Sequence, residues 1–308
     1  MIKSFAEAEK AAEKVGPKRI SVLRAEDREF LLALKEAGKR GYCEPVLIGD
    51  EIKIRRIADE IEFDITNFQL VDEKDSQRIA DKGVSLVSAG DAHLILRGQI
   101  EGHFLYRALI RSSRVSDARI QICMVALFQM PVLPKLIGIG DPAINVAPDF
   151  HVKVEIIRNT VYLFSRLGYD NPRVGILTAE RGLNAELDSV TDAVKIKEAL
   201  ASGELTGCSI ADGLSLSDFF LGKDGFLGSL EEIDSSLIPD IFLVHNIEFG
   251  NMFGKMFGKV DNLSPKDYLP GSRGHGIIMS ADIPTVVPSR ADRHDTIITD
   301  IALGVLIA

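Results

Sequence analysis

Short apolar segments alternate with longer segments of helical periodicity along the chain, and this alternation limits the folds that the chain can adopt. Residues 18–24 and 135–140 are typical of buried strands, whereas residues 27–40 place Phe30 and Leu34 on one helical face. Strands separated by helix-length segments pair in parallel through crossover connections, with helices covering both faces of the sheet. The sequence therefore predicts an α/β protein.

The predicted elements occur in both halves of the chain. Strand-like apolar runs are expected at 18–24, 46–49, 68–71, 93–96, 119–128, 135–140, 173–178, 240–245, 276–280 and 285–287. Helices are expected at 4–15, 27–40, 75–88, 148–168 and 295–307. The helix at 148–168 carries signals at both ends, since it opens with Pro148-Asp149 and closes at Gly168. Residues 213–236, rich in Gly, Ser and Asp, favour neither type of element.

Length and charge limit the classes of protein to which the chain can belong. Its 308 residues are enough for two domains, each with its own core. With 45 acidic and 36 basic residues the net charge is −9, which disfavours nucleic-acid and anionic-membrane partners. The three cysteines are far apart, the N-terminal residues lack an apolar signal region, and apolar stretches are too short for a membrane span. We therefore expect a soluble, cytoplasmic protein.

The segment 284–295 combines an apolar strand, the pair Ser289-Arg290 and the start of a helix. A helix N-terminus offers unpaired N–H groups, and a serine hydroxyl and a guanidinium add donors that suit phosphate oxygens. This pattern predicts an anion site. An ordinary strand-to-helix junction would contain the same residues, with the serine as a cap and the arginine in a surface ion pair.

Two further loops follow predicted strands, where α/β proteins place ligands. The loop after residues 135–140 contains Asn145 among small residues and prolines. The segment after residues 240–245 contains Gly250, which permits close backbone approach, and Asn251, which can donate or accept a hydrogen bond. In both loops the same residues would also serve as ordinary turn and cap residues.

Two arginines are further candidates for ligand binding. Arg97 closes the predicted strand 93–96, and Arg107 lies on the helix expected next. Arginines at a strand end and on the neighbouring helix can converge on one site, although an arginine on a helix is more often solvated. The six histidines have no metal-binding spacing, so the sequence predicts no metal site.

Eight short motifs follow one another along nearly the whole chain. They occupy residues 25–27, 45–49, 91–98, 140–149, 191–193, 212–218, 250–251 and 289–292. In order and spacing they resemble the phosphate acetyl/butyryltransferase family, nearest its butyryl branch. The resemblance implies a two-domain α/β/α sandwich similar to the isocitrate and isopropylmalate dehydrogenases. Residues 1–128 and 286–308 would form the first domain and residues 129–285 the second, with the active-site cleft between them.

The resemblance also implies an activity. Family members move a short acyl group between coenzyme A and inorganic phosphate, usually as homodimers, and use no metal or redox cofactor. By the same resemblance Ser289 and Arg290 would hold the phosphate group, and Asp295 would take the thiol proton. Arg107 falls where the family places a basic residue, Asn145 lies in its central loop, and Gly250-Asn251 forms the opposite side of the cleft.

Several positions depart from the butyryl branch. This chain has Arg97 for Lys, Gly102 for Thr, Cys123-Met124 for Ser-His, Pro288 for Thr and Ile297 for Lys. The exchange of Lys for Arg keeps the charge but changes its shape and reach. Altered polar positions suggest either a different acyl substrate or lost activity.

Three hypotheses follow. The first is a phosphate acyltransferase of altered specificity, because Ser289, Arg290 and Asp295 are all present. The second is a homologue that binds acyl-CoA or a phosphorylated ligand without turnover. The third is a dehydrogenase of the same fold, which would need clustered acidic metal ligands that the sequence does not show.

Overall fold

A computed structural model of the chain describes residues 1–115, 121–131, 133–179, 186–211, 215, 237–257, 272–280 and 283–308. Strands alternate with helices over these residues, which confirms the predicted α/β class. The segment 213–236, for which the sequence favours no element, lies outside the described residues apart from Ser215.

The described strands and helices are numbered here in chain order. The strands are β1 (Lys18–Leu23), β2 (Cys43–Gly49), β3 (Leu70–Asp72), β4 (Leu94–Arg97), β5 (Cys123–Gln129), β6 (Leu136–Gly140), β7 (Arg173–Ile176), β8 (Ser209–Ile210), β9 (Ile241–Leu243), β10 (Arg273–Met279) and β11 (Thr285–Val286). The helices are α1 (Phe5–Val15), α2 (Arg28–Lys39), α3 (Glu51–Glu60), α4 (Ser76–Ser88), α5 (Gly102–Val115), α6 (Phe150–Arg166), α7 (Asp188–Ser202), α8 (Ile247–Phe257) and α9 (His294–Ile307).

The chain forms two compact units. The terminal unit contains Phe5–Ile122 and His275–Ala308, and the central unit contains Met1–Ser4 and Cys123–Gly274. This division describes compactness of the backbone, so the folding domains expected at 1–128 with 286–308 and at 129–285 stay a prediction.

In the terminal unit the strands lie in the order β3-β2-β1-β4-β11-β10. The pairs from β3 to β11 are parallel, as the sequence predicts, and β10 pairs antiparallel with β11. The antiparallel pair arises because only a short link, too short for a crossover, joins β10 to β11. Since β4 and β11 run side by side in parallel, the residues that follow them meet at one edge of the sheet.

The central unit has its own strand order, β5-β6-β9-β7-β8. Strand β5 is antiparallel to β6, and the remaining pairs are parallel. Gly140 at the end of β6 is paired with Leu243 at the end of β9, so the loops that follow these strands are neighbours. Helix α6 confirms the helix predicted at 148–168: the Asp149 side chain caps it by accepting from the Val152 N–H at 2.9 Å, and Gly168 ends it at φ 82°.

Helix α9 carries the Ser289-Arg290 segment at its N-terminal side and is buried on every face. All residues from Ile297 to Ile307 are buried. One face is covered because α1 and α2 pack against it. Two polar residues of α9 have partners on neighbouring elements. Thr299 Oγ1 donates to Glu9 Oε1 of α1 at 2.6 Å, and Asp300 Oδ1 lies 2.9 Å from His275 Nδ1 of β10.

We predict that Gly304→Ala destabilises the protein. A Cβ at Gly304 would lie 2.3 Å from Leu94 Cδ1 and 3.1 Å from Val286 Cγ1, so α9 would be forced away from β4 and β11. The expected loss in free energy of unfolding is about 1–3 kcal/mol, measured by urea denaturation.

Gly38→Ala in α2 is the matched control, because its nearest contact would be an ordinary 3.8 Å from the Cys43 carbonyl oxygen. Alanine is the better helix former, so this variant should gain about 0.5–1 kcal/mol. A Gly304→Ala protein as stable as the wild type would contradict the packing described for α9.

Candidate functional site

The carboxyl ends of β4 and β11 bring a first group of predicted site residues together. Thr285 and Val286 pair with Ile95 and Leu96, so Arg97 and Pro288 follow at the same edge of the sheet. The Arg97 Nη2 atom donates to the Pro288 carbonyl oxygen at 3.4 Å. We call Arg97 together with residues 288–295 the Ser-Arg corner.

The Ser-Arg corner is not an ordinary strand-to-helix junction. Ser289 does not cap α9, whose N-cap is Arg293 and lacks a side-chain cap bond. The Ser289 N–H instead donates to Asp292 Oδ2 at 2.7 Å, and its exposed hydroxyl accepts a long 3.5 Å bond from the Ala291 N–H. Among the described residues Arg290 makes no ion pair. Both features expected of a plain junction are therefore missing.

Two guanidinium groups of the corner, those of Arg97 and Arg290, make no ion pair with any described residue. Burial lowers the pKa of the Arg97 guanidinium, and the charge of Arg290 lowers it further. Arg97 has no carboxylate partner among the residues that the structure describes, and its buried Nε has no hydrogen-bond partner. Two guanidinium groups whose charges repel each other can be stabilised by an anion that binds both.

Asp295 and Arg107 take different positions in the terminal unit. Asp295 is exposed in the first turn of α9, where its Oδ1 accepts from the Thr296 N–H at 2.9 Å. It shares the corner with Ser289 and Arg290, although none of these three described side chains bonds to another. Arg107 is exposed on α5 and donates from Nη1 to Gln77 Oε1 at 3.2 Å. No bond therefore ties Arg107 to the corner in the described part of the chain.

The corner is fixed to the neighbouring helix α2 by Glu29. Its Oε2 accepts a 2.8 Å hydrogen bond from the His294 backbone N–H and lies 2.8 Å from His294 Nδ1. The backbone bond to His294 is the largest of the causes that lower the pKa of Glu29 below its ordinary value of 4.5. Sequence analysis missed this contact because the two residues are 265 positions apart.

Asn145 lies in a tight loop after β6, in the central unit. The buried Asp141 side chain organises this loop by accepting bonds from the N–H groups of Ala143, Ile144 and Asn145. The Asn145 side chain also donates to it, from Nδ2 to Asp141 Oδ2 at 2.6 Å. Burial raises the pKa of Asp141, and these hydrogen bonds oppose that shift. Asn145 is therefore held in place by an aspartate that the sequence analysis did not single out.

Gly250 and Asn251 lie inside α8 and pack the helix onto the same loop. A Cβ at Gly250 would be 2.9 Å from Pro142 Cα and 2.7 Å from Val244 Cγ2, so only glycine allows this approach. Asn251 Nδ2 donates to the Pro142 carbonyl oxygen at 3.4 Å. They are not turn or cap residues, since Asn246 fills that role by accepting from the Phe249 N–H. The structure thus brings Asn145, Gly250 and Asn251 to one edge of the central sheet.

A cluster of charged residues at this edge of the central sheet was not predicted as a group from the sequence. Lys153 of α6 is 2 % exposed and donates from Nζ to Asp192 Oδ2 of α7 at 2.5 Å. The same Nζ lies 2.9 Å from Nδ1 of His245, which follows β9. Burial is the first cause that lowers the pKa of His245, and the Lys153 charge adds to it. One sequence signal could have indicated this cluster: Lys153 and Asp192 both lie near the N-termini of helices that follow parallel strands.

Three of the positions that depart from the butyryl branch, Cys123, Pro288 and Ile297, are buried. Ile297 stands where the butyryl branch often has a lysine. It is fully buried in α9, so the exchange leaves no gap at the protein surface. Cys123 is also buried, and its Sγ accepts from Asn159 Nδ2 at 3.4 Å. Burial and the nearby Asp141 raise the pKa of the Cys123 thiol, which keeps it protonated and therefore a poor nucleophile.

Two negative observations apply to the described residues alone. In that part of the chain no three His, Cys, Asp or Glu side chains are grouped as metal ligands. None of its helices combines the length and the apolar character that crossing a membrane requires.

An α/β fold whose described residues leave two guanidinium groups without ion pairs at the carboxyl ends of parallel strands is typical of proteins that bind small anionic ligands. Comparison with known sequences gives the family. The chain is 30% identical over 310 residues to the phosphate butyryltransferase of Clostridium acetobutylicum, an alignment that covers 100% of this chain and 99% of that protein. No family model matches the chain. On the strength of this full-length identity, the chain belongs to the phosphate acetyl/butyryltransferase family.

Solved structures agree on the fold. A branched-chain phosphotransacylase from Enterococcus faecalis V583 superposes with a TM-score of 0.73 at 21% identity, covering 94% of this chain and 99% of that chain. A 4-hydroxythreonine-4-phosphate dehydrogenase from Klebsiella pneumoniae superposes with a TM-score of 0.57 at 12% identity, covering 94% of this chain and 99% of that chain. The expected likeness to a dehydrogenase fold is thus confirmed at the level of architecture.

We predict that Glu29→Gln weakens the protein in a pH-dependent way. Because the folded-state pKa of Glu29 is lowered, its stabilising contribution is present above pH 4.5 and is lost as the pH falls through the folded-state pKa. The difference in free energy of unfolding from wild type should be about 1 kcal/mol at pH 7, a value reduced because the side chain is one-third exposed. This difference in free energy of unfolding should shrink as the pH falls below 4.5.

The control is Glu60→Gln, which removes an ion pair with Arg56 in which both side chains are more than half exposed. This variant should match the wild type at every pH, because such pairs contribute little. Urea unfolding between pH 3 and pH 7 measures both. A Glu29→Gln difference that grows on acidification would refute the assignment.

Proposed function

We propose that this protein moves a short acyl group between coenzyme A and inorganic phosphate, with acyl-CoA and phosphate giving acyl phosphate and CoA. The family supports the activity, and the observation that carries it is the pair of arginines, Arg97 and Arg290, which meet at the Ser-Arg corner without a carboxylate partner among the described residues. A phosphate group would supply an anionic partner for both guanidinium groups. Coenzyme A is a substrate, and the proposal includes no metal or redox cofactor.

The corner offers the groups that the chemistry requires. When the CoA thiol attacks an acyl phosphate, the C–S bond forms, the bond from carbonyl carbon to phosphate oxygen breaks, and phosphate leaves. Arg290, Arg97 and the exposed Ser289 hydroxyl would bind the leaving phosphate and stabilise its growing charge. Asp295 would accept the thiol proton with the Oδ2 atom, since its Oδ1 already accepts from the Thr296 N–H. In the reverse direction the same donors would orient phosphate for attack on the thioester.

In this proposal the residues of the central unit bind the acyl-CoA substrate. Asn145, Gly250 and Asn251 surround the Asp141 loop, and their polar groups would contact the substrate there. Arg107, held by Gln77, is assigned to a substrate phosphate on family resemblance alone. The change from Lys to Arg at position 97 and the buried Ile297 favour altered acyl preference over loss of the reaction, because the phosphate-binding groups are all retained.

We also propose that the protein acts as a homodimer in the cytoplasm. The family resemblance supports the dimer. The three cysteines Cys43, Cys123 and Cys208 are free and buried, which suits a reducing compartment. The net charge of −9 supports the proposal that neither nucleic acid nor an anionic membrane is a partner.

We predict that Arg97→Met raises KM for phosphate at least about tenfold, because a charged donor to the phosphate is lost. The fold should not suffer, since the change also removes a buried guanidinium that has no carboxylate partner among the described residues. Phosphate-dependent release of CoA thiol from acetyl-, propionyl-, butyryl- and branched acyl-CoA measures the effect, and thermal unfolding monitors the fold. The KM of Arg97→Lys for phosphate should lie between those of the wild type and of Arg97→Met.

Two further variants complete the test. Ser289→Ala should lower kcat by about 10²-fold through loss of a donor to the phosphate. Arg78→Met removes an exposed arginine that pairs with Glu73 at 2.9 Å, and it should leave both kinetic constants unchanged. A wild-type protein that binds acyl-CoA but releases no thiol with any substrate, with phosphate or with arsenate, would refute the transferase and establish a binding protein.

A further inference from the structure

The Lys153–Asp192–His245 cluster fixes where the proton of His245 lies. Lys153 Nζ is 2.5 Å from Asp192 Oδ2 and 2.9 Å from His245 Nδ1. A lysine ammonium has three donors and no acceptor, so Nδ1 must accept its hydrogen bond. The imidazole is then neutral and carries its proton on Nε2. Lys153 thereby turns His245 into a donor of defined direction.

The charge of the cluster decides what this donor can bind. The Lys153 and Asp192 charges cancel, and the neutral His245 adds none. Asp188, in the first turn of α7, is the other charged group that acts on the imidazole. The cluster therefore has no net positive charge and does not favour a phosphate. A neutral oxygen acceptor, such as a carbonyl, is the matching ligand.

The position of His245 in the fold places this donor where substrates bind. It follows β9 by two residues, while the Asp141 loop follows the neighbouring strand β6. The two segments are hydrogen bonded, from the Val244 N–H to the Gly140 carbonyl at 3.0 Å and from the Ile247 N–H to the Val146 carbonyl at 3.1 Å. The His245 side chain is half-buried, and its Nε2 has no partner within the described part of the chain.

We propose that His245, oriented by Lys153 and Asp192, donates from Nε2 to a carbonyl oxygen of the acyl-CoA substrate. The inference rests on the proposed function, and it adds a binding residue and two positioning residues to that site. Two carbonyl sources share this chemistry: the thioester itself and the amides of the pantetheine arm. His245 is the residue that touches substrate, whereas Lys153 acts only through it.

Binding measured by calorimetry without phosphate tests the donor. His245→Ala should weaken butyryl-CoA binding by about fivefold to tenfold, the effect of losing one hydrogen bond to a neutral acceptor. His245→Gln keeps an N–H donor near the position of Nε2 and should recover most of the affinity. His151→Ala removes an exposed histidine of α6, two residues before Lys153, and should bind as the wild type does.

The thioether S-butyl-CoA separates the two carbonyl sources, because it keeps the pantetheine amides and lacks the thioester oxygen. If His245→Ala weakens butyryl-CoA but not S-butyl-CoA, the acceptor is the thioester carbonyl. If it weakens both equally, the acceptor is a pantetheine amide. If it weakens neither, the proposal is overturned.

Nitrogen-15 correlation spectra of the histidine rings test the orienting role without any substrate. His245 of the wild type should show the proton on Nε2, and Lys153→Met should produce a mixture of tautomers. A wild-type proton on Nδ1 would overturn the proposal even if Lys153→Met failed to fold. Failure of the proposed function is a separate result: it would appear as absent phosphate-dependent thiol release, whereas these measurements follow binding and proton position alone.

Discussion

Parallel pairing of adjacent strands is the constraint on which both groups of site residues depend. In the terminal unit, β4 beside β11 places Arg97 next to Pro288 and therefore next to Ser289-Arg290. In the central unit, β6 beside β9 places the Asp141 loop next to His245 and the start of α8. In an antiparallel pair the two chain ends would leave at opposite edges, and neither group would form. The same rule of parallel pairing thus brings together both groups of residues.

The contrast between the two groups is electrostatic. At the Ser-Arg corner, burial and then the charge of Arg290 lower the pKa of Arg97. Neither arginine has a carboxylate partner among the described residues, so an anion can neutralise their charge. At the central edge, Lys153 is neutralised by Asp192, and a second of its donors is directed at His245. One group is suited to phosphate and the other to uncharged oxygen, which are the two kinds of acceptor that an acyl-CoA and phosphate present.

Sequence reasoning gave the architecture because its signals are local. The signals at Pro148-Asp149 and Gly168 placed both ends of α6 within two residues of their positions in the structure, and apolar runs located most strands. Helix α7 was not predicted, since its N-cap is Leu187, which makes no side-chain cap bond. The missed site contacts are long-range: Glu29 with His294, and Lys153 with His245, join residues whose proximity depends on the strand order. Ser289, Arg290 and Asp295 were predicted together because they are sequence neighbours, whereas their Arg97 neighbour became visible only in the sheet.

Strand β11 has a consequence for synthesis on the ribosome. It lies between β4 and β10 in the terminal unit, although β4 precedes it by almost 190 residues. When β1 to β4 have emerged from the ribosome, their sheet must therefore keep an open edge at β4 until residues 275–308 are translated. The Ser-Arg corner is then completed in the same event that closes this edge, so a partly synthesised chain lacks the complete corner.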